Sequence, residues 1–307
     1  MTIGCNMETT TLDRYIKLFR GRGDVYGSEM GSCVKQPLTR EVFHNHLMGE
    51  TPIGVYPMVP LKNDWYTVWG CTDIDTGDLK STISIRDSLA AAGVHAFIEK
   101  SRSKGYHVWV FASEPVLARD MRRMLLAAHQ VADYEAREIN PKQESLASTA
   151  QYGNYVRLPY PNHNDLTIPN RRVITDDETP ISLDAFLDDA EAHLTHPDTI
   201  ARIASFYKPP VAPTAHNTDY VPCESLPDAM RPLSALGKVI WRDGPLPNND
   251  RSRTLAKLGH ECVRSGLNPS QTHIILTDAD LRWGKYHLRT HGELEIDKLV
   301  LRVYQTT

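Results

Sequence analysis

Residues 65–75 read WYTVWGCTDID, and this stretch decides the fold. Its first part is rich in aromatic and β-branched residues, which favours a β-strand. Side chains two residues apart on a strand point to the same face, so the strand holds the carboxylates of Asp73 and Asp75 side by side. Their repulsion is costly unless a cation neutralises it, and oxygen ligands suit Mg2+ or Mn2+. Because an Asp-x-Asp pair alone is common, this metal prediction depends on the rest of the chain.

A second stretch, residues 98–111, reads IEKSRSKGYHVWVF and predicts a β-hairpin. Two strand-like runs flank a polar loop that contains a glycine. In this loop Ser103 offers a hydroxyl group and Lys104 a positive charge, while His107 opens the second strand. A cationic loop whose glycine permits close backbone approach is suited to binding a polyphosphate.

The composition is that of an ordinary globular protein. Of the 307 residues, 41% are hydrophobic and 23% are charged, which is enough for one large domain or two ordinary ones. The sequence contains no apolar run of about eighteen residues and no signal-peptide pattern at its start, so we expect a soluble cytoplasmic protein. The five cysteines include no Cys-x2-Cys pair, which argues against a zinc knuckle and a disulfide framework, and we expect no zinc.

The net charge of −4 conceals an uneven distribution of charged residues. Residues 228–307 contain 12 Lys and Arg against 9 Asp and Glu, whereas the rest of the chain is acidic. A basic tail is compatible with contact to nucleic acid. An acidic first part does not exclude such a role, because clustered carboxylates bind cations that reverse the local charge.

Hydrophobic periodicity predicts four helices in the first half of the chain, over residues 11–19, 39–47, 79–92 and 113–136. Ser113 is the predicted N-cap of the last of these helices. The helix over 79–92 connects the two stretches quoted above. The order of strand, helix and hairpin therefore predicts a mixed fold in which helices pack beside a sheet.

An Asp-x-Asp strand, a helix and a hairpin with Ser-x3-His form a pattern that is far more specific than any of its parts. In this pattern, and over most of residues 15–165, the chain resembles the archaeo-eukaryotic primase superfamily, in particular the primase-polymerases of phages, plasmids and mobile elements. The resemblance implies an α+β catalytic domain with an RRM-like palm sheet, followed by a small all-helical domain. It also implies that Asp73 and Asp75 bind metal, and that Ser103, Lys104 and His107 hold the phosphates of an incoming nucleotide.

The superfamily completes its metal site with a third acidic residue ahead of a Pro-Lys-Gln sequence. Here Glu138 stands three residues before Pro-Lys-Gln. The resemblance therefore implies Glu138 as the third metal ligand and Lys142 as a nucleotide contact. The sequence departs from the family pattern at Asn140, where an aromatic residue is more usual, and Glu135 and Glu144 are competing carboxylates.

Two arginines extend the predicted nucleotide site. Arg22 lies in residues 20–27, RGRGDVYG, which are similar to a Gly-Arg-x-Asp-x-Tyr element of the superfamily. The resemblance implies that it contacts a phosphate or the template, and the alternative is a turn with solvated charges. Arg157 lies in a segment similar to a family strand near the active site. It is predicted to face the triphosphate or the template, with a salt bridge to the acidic cluster as the alternative.

A proline-rich segment divides the chain. We predict a primase-polymerase catalytic domain over residues 1–207, a Pro-rich linker over 208–227 and a helical bundle domain over 228–307. The last domain resembles the module that follows the catalytic domain in primase-polymerases. Its predicted contacts to single-stranded DNA are Arg251, Arg253, Lys257, Arg282, Trp283 and Lys285. The alternative is a bundle with an ordinary charged surface.

These features together predict a DNA primase and template-dependent DNA polymerase, a nucleotidyltransferase that makes and extends primers with two Mg2+ or Mn2+ ions. His107 is predicted to act as a positioned hydrogen-bond donor in catalysis. The expected partners are single-stranded DNA, nucleoside triphosphates and a replicative helicase in cis or in trans, with no membrane, in a bacterial or archaeal host cell. The alternatives are a metal-dependent nuclease and a non-catalytic replication initiator or single-stranded DNA-binding module.

Overall fold

The computed structural model describes residues 9–75, 78–136, 138–165, 167–209, 225–245, 250–287 and 292–305. By its internal contacts the chain divides into two compact units, Met1–Pro209 and Pro210–Thr307. The linker predicted over 208–227 lies largely outside the described residues, which stop at 209 and resume at 225.

The first unit mixes strands and helices, and the second is helical. The elements of the first unit are α1 (Thr9–Phe19), β1 (Tyr26–Ser28), β2 (Cys33–Val34), α2 (Arg40–Leu47), β3 (Ile53–Val55), β4 (Val59–Leu61), β5 (Asp64–Ile74), α3 (Leu79–Ala91), β6 (Ala96–Lys100), β7 (Tyr106–Leu117), α4 (Ala118–Val131), β8 (Glu138–Asn140), β9 (Val156–Arg157), β10 (Arg172–Val173), α5 (Leu183–Ala192) and α6 (Pro197–Ala204). The elements of the second unit are α7 (Leu226–Met230), α8 (Ala235–Asp243), α9 (Arg251–Arg264), α10 (Pro269–Trp283) and α11 (Gly292–Gln305). This architecture confirms the predicted α+β class with a helical C-terminal part.

An antiparallel sheet of six strands forms the centre of the first unit, and β5 organises it. On one side β5 pairs with β7, and on the other it pairs with β4 near its start and with β8 near its end. Beyond β7 follow β6 and β10. A two-residue turn joins β4 to β5 at Lys62 and Asn63, both of which have positive φ, as in turns that match the twist of a hairpin. The pairing of β5 with β7 contains a bulge between Thr67 and Trp69.

Helices cover both faces of this sheet. Because side chains alternate along a strand, odd positions in β7 and in the second half of β5 face α1, α2 and α5, and even positions face α3, α4 and α6. On the first face, Phe19 packs edge-on against Trp109 and Phe111, with ring centroids 5.3 Å apart in both pairs. On the second face, Gly70 lets α4 approach closely, because a Cβ atom there would lie 2.7 Å from Met121 Cγ.

The long helix predicted over 113–136 is shorter in the structure, because β7 continues to Leu117. The strand persists because Val116 and Leu117 resume pairing with β5 beyond its bulge. The predicted N-cap Ser113 therefore lies within β7, where its backbone N–H donates to Thr195 O over 3.0 Å. Tertiary strand pairing outweighs the helical periodicity of this segment.

A smaller antiparallel sheet has the strand order β2-β1-β3-β9, and the buried His46 anchors it to α2. His46 Nδ1 accepts a hydrogen bond from the backbone N–H of Ile53, 3.1 Å away, and Nε2 lies 2.9 Å from Pro159 O. The Tyr15 hydroxyl donates to the same carbonyl oxygen over 2.6 Å. A neutral imidazole protonated at Nε2 satisfies both ring contacts. Burial lowers the pKa of His46 to about 3, which keeps the ring neutral.

The second unit packs its helices around one hydrophobic core. Asn268 begins α10 with a capping box. Its side chain accepts a hydrogen bond from the backbone N–H of Gln271, and the Gln271 side chain accepts one from the backbone N–H of Asn268. The buried carboxylate of Asp280 closes the other end of α10, because it accepts hydrogen bonds from the backbone N–H groups of residues 285–287. Among the residues that the structure describes, no helix is long and apolar enough to cross a membrane.

We expect mild acid to destabilise the first unit through His46. Since the folded-state pKa of about 3 lies below the ordinary 6.5, folding requires the neutral ring. Its stabilising contribution is full above pH 6.5 and is lost as the pH falls below that value. The free energy of unfolding should decrease by about 1 kcal/mol between pH 7 and pH 5.5 from this group alone.

Urea unfolding at both pH values tests this expectation. His46→Gln removes the titrating group, so its stability should depend less on pH than that of the native protein. His44→Gln, on the same helix, is the control and should keep the native pH dependence. An unchanged pH dependence in His46→Gln would contradict the expectation.

Candidate active site

Side chains from four strands form one row across the main sheet, which we call the acidic row: Glu138, Asp73, His107 and Glu99. The strand register pairs Asp73 directly with Glu138 on β8 and with His107 on β7, and it pairs His107 with Glu99 on β6. Directly opposed residues of antiparallel strands project to the same face, with Cβ atoms about 4.5–5.5 Å apart. Backbone pairing therefore gathers residues that are far apart in the sequence.

The acidic row opens into a cleft of about 230 Å3. Asp75 follows directly after β5 and lines this cleft together with Asp73 and Glu138. Ser103 and His107 line it as well. The remaining lining residues are Glu99, Ser101, Arg102, Asn140, Lys142, Asn154, Tyr155, Val156, Arg157 and Arg171. The structure thus brings the three predicted metal ligands together with two of the three predicted phosphate contacts of the hairpin, Ser103 and His107.

His107 is held between two carboxylates. Its Nδ1 atom lies 2.8 Å from Glu99 Oε2, and its Nε2 atom lies 3.7 Å from Asp73 Oδ1. Burial by itself lowers the pKa of His107, but the charge of Glu99 and the hydrogen bonds with Asp73 and Glu99 outweigh it and raise the pKa to about 10. The imidazole is therefore a cation in which both ring nitrogens are donors.

Glu99 is the member of the acidic row that sequence reasoning missed. The residue is fully buried, and its Oε2 also accepts a hydrogen bond of 2.6 Å from Trp109 Nε1. Its Oε1 is buried with no hydrogen-bond partner in the described part of the chain. A buried carboxylate is costly without a charge partner, and His107 supplies that partner. One feature of the sequence could have identified Glu99: it is an acid within the strand-like run 96–100, at the position paired with His107 across the predicted hairpin.

Three arginines of the lining, Arg102, Arg157 and Arg171, form what we call the basic wall, and Glu29 holds them. The Glu29 carboxylate lies 3.0 Å from Arg102, 2.8 Å from Arg171 and 3.9 Å from Arg157. The Glu29 carbonyl oxygen also accepts a hydrogen bond of 3.1 Å from Arg157. The Nε atoms of Arg157 and Arg171 are buried and have no hydrogen-bond partner among the described residues. All three guanidinium groups line the cleft, so the basic wall presents positive charge to it.

The loop between β6 and β7 is closed by its own hydrogen bonds. The backbone N–H of Ser101 donates to Gly105 O over 2.9 Å, and that of Gly105 donates to Ser101 Oγ over 3.2 Å. A Cβ atom at Gly105 would lie 2.3 Å from Ile74 O, so only glycine lets the loop pack against the end of β5. Ser103 lines the cleft, whereas Lys104 is exposed and is not among the lining residues.

The geometry separates Glu138 from its two competitors. Glu138 belongs to the acidic row, and Lys142 Nζ lies 3.4 Å from its Oε1 at the edge of the cleft. Glu144 instead binds Arg123 through both carboxylate oxygens, at 2.8 and 2.7 Å. Neither Glu144 nor Glu135 is among the lining residues.

Arg22 does not line the cleft. Its guanidinium group donates to both carboxylate oxygens of Asp24, at 2.8 and 2.9 Å. It also donates to the backbone carbonyl oxygens of Thr149 and Gln151 and lies over the ring of Tyr152, 4.9 Å from its centroid. Its donors are thus used within the chain, and the structure does not support the predicted phosphate or template contact.

Most of the predicted DNA contacts of the second unit are engaged within the fold. Trp283 is 7% exposed and belongs to the hydrophobic core, so the predicted stacking face is not available. Arg251 donates to the carbonyl oxygens of Trp283 and Gly284, at 3.0 and 2.7 Å. Arg282 lies over the ring of Trp241, 4.3 Å from its centroid.

The remaining predicted cations differ in their surroundings. Lys285 Nζ lies 3.7 Å from the carboxylate of Asp250. Arg253 and Lys257 are exposed and lie one turn apart on α9, and neither forms an ion pair with another described residue. These two side chains are the part of the predicted DNA contact that the fold leaves available.

Comparison with known proteins confirms the class of protein that the fold and the acidic row define, the archaeo-eukaryotic primase superfamily. Residues 28–181, about half of the chain, match the family described as TOTE conflict system, Archaeo-Eukaryotic Primase domain. The chain therefore belongs to this primase family.

Two solved structures are similar to this chain at low sequence identity. One is the polymerase domain of Mycobacterium tuberculosis ligase D in complex with DNA, which is 16% identical; the match covers 60% of this chain and 71% of that one, with a TM-score of 0.29. The other is the primase RepB′, which is 13% identical; the match covers 96% of this chain and 93% of that one, with a TM-score of 0.27. No curated protein matches the sequence.

We expect His107 to stay protonated well above neutral pH in the absence of divalent cations. NMR titration of its ring protons in the presence of a chelator should show the transition near the pKa of about 10. Glu99→Gln removes the charge that stabilises the imidazolium, so it should lower this pKa. Glu114→Gln, at an exposed position of β7, is the control and should leave it unchanged. Titration of native His107 near 6.5 would contradict the expectation.

Proposed function

We propose that this protein is a DNA primase and template-dependent DNA polymerase. Its reaction would join a 3′-hydroxyl group to the α-phosphate of a nucleoside triphosphate and release pyrophosphate. The observation that carries the proposal is a single cleft lined both by carboxylates and by the basic wall, with the cationic His107 between two acids. Membership of a primase family supports the same reaction class.

The carboxylates of the cleft fit divalent cations. Asp73, Asp75 and Glu138 offer only oxygen ligands, which suits Mg2+ or Mn2+, and negative charge gathered on one wall requires a cation. Two bound ions would offset charge on the attacking and leaving oxygens of an in-line displacement. The ion pair between Glu138 and Lys142 is half exposed, so it is weak enough to give way.

The hairpin loop and the basic wall would hold the triphosphate. The proposed phosphate contacts are Ser103, His107, Lys142 and Arg157, to which we add Arg102 and Arg171. His107 would donate from Nε2 and steady the leaving pyrophosphate. It would act as a donor and not as a general base, because the buried Glu99, which accepts from its Nδ1, favours the imidazolium form. Lys104 would contribute only its charge, since it does not line the cleft.

The helical unit would bind single-stranded template DNA. Its proposed contact surface is the exposed face of α9 that carries Arg253 and Lys257. Charge contacts to phosphates are independent of sequence, which suits a polymerase that selects bases by template pairing. A replicative helicase, in cis or in trans, is a further proposed partner.

A non-catalytic replication initiator or single-stranded DNA-binding module is the second candidate. The observation that favours it is the basic excess of residues 228–307, with 12 Lys and Arg against 9 Asp and Glu. This function would not require the acidic row. The two candidates are therefore separated by whether nucleotide incorporation occurs and depends on these carboxylates.

We expect the protein to incorporate nucleotides on single-stranded DNA in the presence of Mn2+ or Mg2+. Asp73→Asn and Asp75→Asn keep the side-chain shape but remove one charged ligand each. Either change should lower incorporation by at least about a hundredfold, because changes one shell further from a metal already cost 10–100-fold. A labelled-nucleotide assay with and without a primer measures the effect.

Asp198→Asn, at a highly exposed position of α6, is the matched control and should retain activity. Primer-free products would support a primase, and primer-dependent products alone would support a polymerase. If the native protein binds single-stranded DNA but incorporates nothing with either ion, the proposed function is wrong and the second candidate replaces it.

We expect α9 to contribute charge contacts to DNA. Replacing Arg253 and Lys257 together by Gln should weaken binding to single-stranded DNA and reduce the slope of log affinity against log salt by about 1.4, or about 0.7 for each lost phosphate contact. Fluorescence anisotropy at several salt concentrations measures both quantities. The matched control replaces Lys238 and Lys298 by Gln, which removes the same charge from α8 and α11. Equal weakening in both variants would show that net charge, and not the α9 face, is responsible.

A further inference from the structure

A cluster of two imidazoles and one carboxylate lies on the first unit, outside the cleft described above. It consists of His95, Asp189 and His193, whose ligand atoms all lie within 4.8 Å of one another. We propose that this cluster binds a transition-metal cation of the Zn2+ class, and we call it the His-Asp-His site. It is independent of the proposed polymerase function, because none of its residues lines the catalytic cleft.

The position of these residues follows from the packing of α5 on the sheet. Asp189 and His193 are four residues apart at the end of α5, so their side chains lie on one face. His95 directly precedes β6 and packs edge-on against Phe97, with ring centroids 4.7 Å apart. Phe97 in turn packs against Phe186 of α5, with centroids 5.2 Å apart. This aromatic contact packs α5 against β6.

The carboxylate of Asp189 faces both imidazoles with different oxygens. Asp189 Oδ1 lies 2.7 Å from His193 Nδ1, and Oδ2 lies 3.5 Å from His95 Nε2. The two rings are stacked, with centroids 4.4 Å apart and an angle of 21° between their planes. One carboxylate therefore lies against two imidazoles, and three donor groups meet at one place.

The donor set points to a particular class of ion. Two imidazole nitrogens and a carboxylate oxygen suit Zn2+, Co2+, Ni2+ or Cu2+, whereas Mg2+ prefers oxygen ligands alone. Ligand atoms on a tetrahedral zinc ion are about 3.3 Å apart, and because the two rings are stacked, at least one of them must rotate to direct its nitrogen at a shared ion. They are two-fifths to a half exposed, which permits this movement and leaves a coordination position for water. The absence of Cys-x2-Cys pairs does not bear on a site without cysteine.

The charges around the cluster favour a cation. On α5, Asp188 and Glu191 are close in sequence to Asp189 and both form ion pairs with Arg14. Arg86 lines the adjacent cavity together with His95 and Asp189. Its guanidinium group is engaged by the carboxylates of Asp87 and Asp176, which offset its charge. The site therefore lies in a surrounding of net negative charge.

A bound ion would tie the end of α5 to the start of β6. Because it would bind the folded state and not the dispersed ligands of the unfolded chain, it should raise the melting temperature. When excess Mg2+ already occupies the oxygen-only sites, a further gain in stability on addition of Zn2+ reports on the His-Asp-His site.

Isothermal titration of the chelator-treated full chain with ZnCl2, in excess MgCl2 to occupy oxygen-only sites, tests the proposal. We expect one equivalent of Zn2+ to bind, and we expect binding to weaken by roughly tenfold or more in His95→Ala and in His193→Ala. His273→Ala is the matched control. His273 forms a similar pair with Asp297, but among the described residues it belongs to no cluster of three metal-ligating side chains. Zn2+ should raise the melting temperature of the native protein and of the control, but not of the two site variants.

Co2+ provides a readout of the ligands themselves. Its visible spectrum in the native protein should show binding without the charge-transfer band of a thiolate, which excludes the exposed Cys33 as the source. The proposal is overturned if the native protein binds no Zn2+, or if His95→Ala and His193→Ala bind it as tightly as His273→Ala.

Discussion

The antiparallel pairing of β5 with β7 and β8 is the constraint on which the first unit depends. This backbone pairing sets the register that places Asp73 between Glu138 and His107. Asp73 and Glu138 are directly opposed carboxylates that repel one another unless a cation is present, so the sheet must bear that cost. The close approach of α4 over Gly70 and the aromatic packing against α1 supply the burial that holds the strands together.

Opposite charges in the first unit are arranged in pairs that hold one another. Glu99 is buried and holds His107 as a cation, whereas Glu29 gathers the arginines of the basic wall. Each arrangement fixes groups in position before a ligand arrives, so binding need not order them. Removal of either carboxylate would leave cations without their orienting partner. Glu99 and Glu29 thus position the cationic side chains of the cleft, and no sequence motif identifies either acid.

Sequence patterns predicted the parts of the candidate site that lie in short stretches. They did not predict the residues whose partners come from distant segments of the chain. Asp73, Asp75, Ser103 and His107 lie in two short stretches, so strand alternation and turn chemistry were sufficient to predict positions that the structure brings into one cleft. Glu99 and Glu29 act through partners that only strand pairing and loop packing bring near.

Arg22 and Trp283 show the opposite kind of error, in which a predicted contact residue is already engaged within the fold. The residue type alone does not show that the donors of Arg22 bind backbone carbonyl oxygens or that the ring of Trp283 lies in the core. The boundary between β7 and α4 was misplaced for a related reason, since pairing with β5 overrode a helical pattern.

The bulge between Thr67 and Trp69 gives the two ends of β5 different evolutionary freedom. A change in length before it can be absorbed by shifting the bulge, whereas one added residue after it would turn Asp73 to the opposite face of the sheet. Relatives of this chain should therefore vary in length around the β4–β5 hairpin and keep a constant spacing from Trp69 to Asp75.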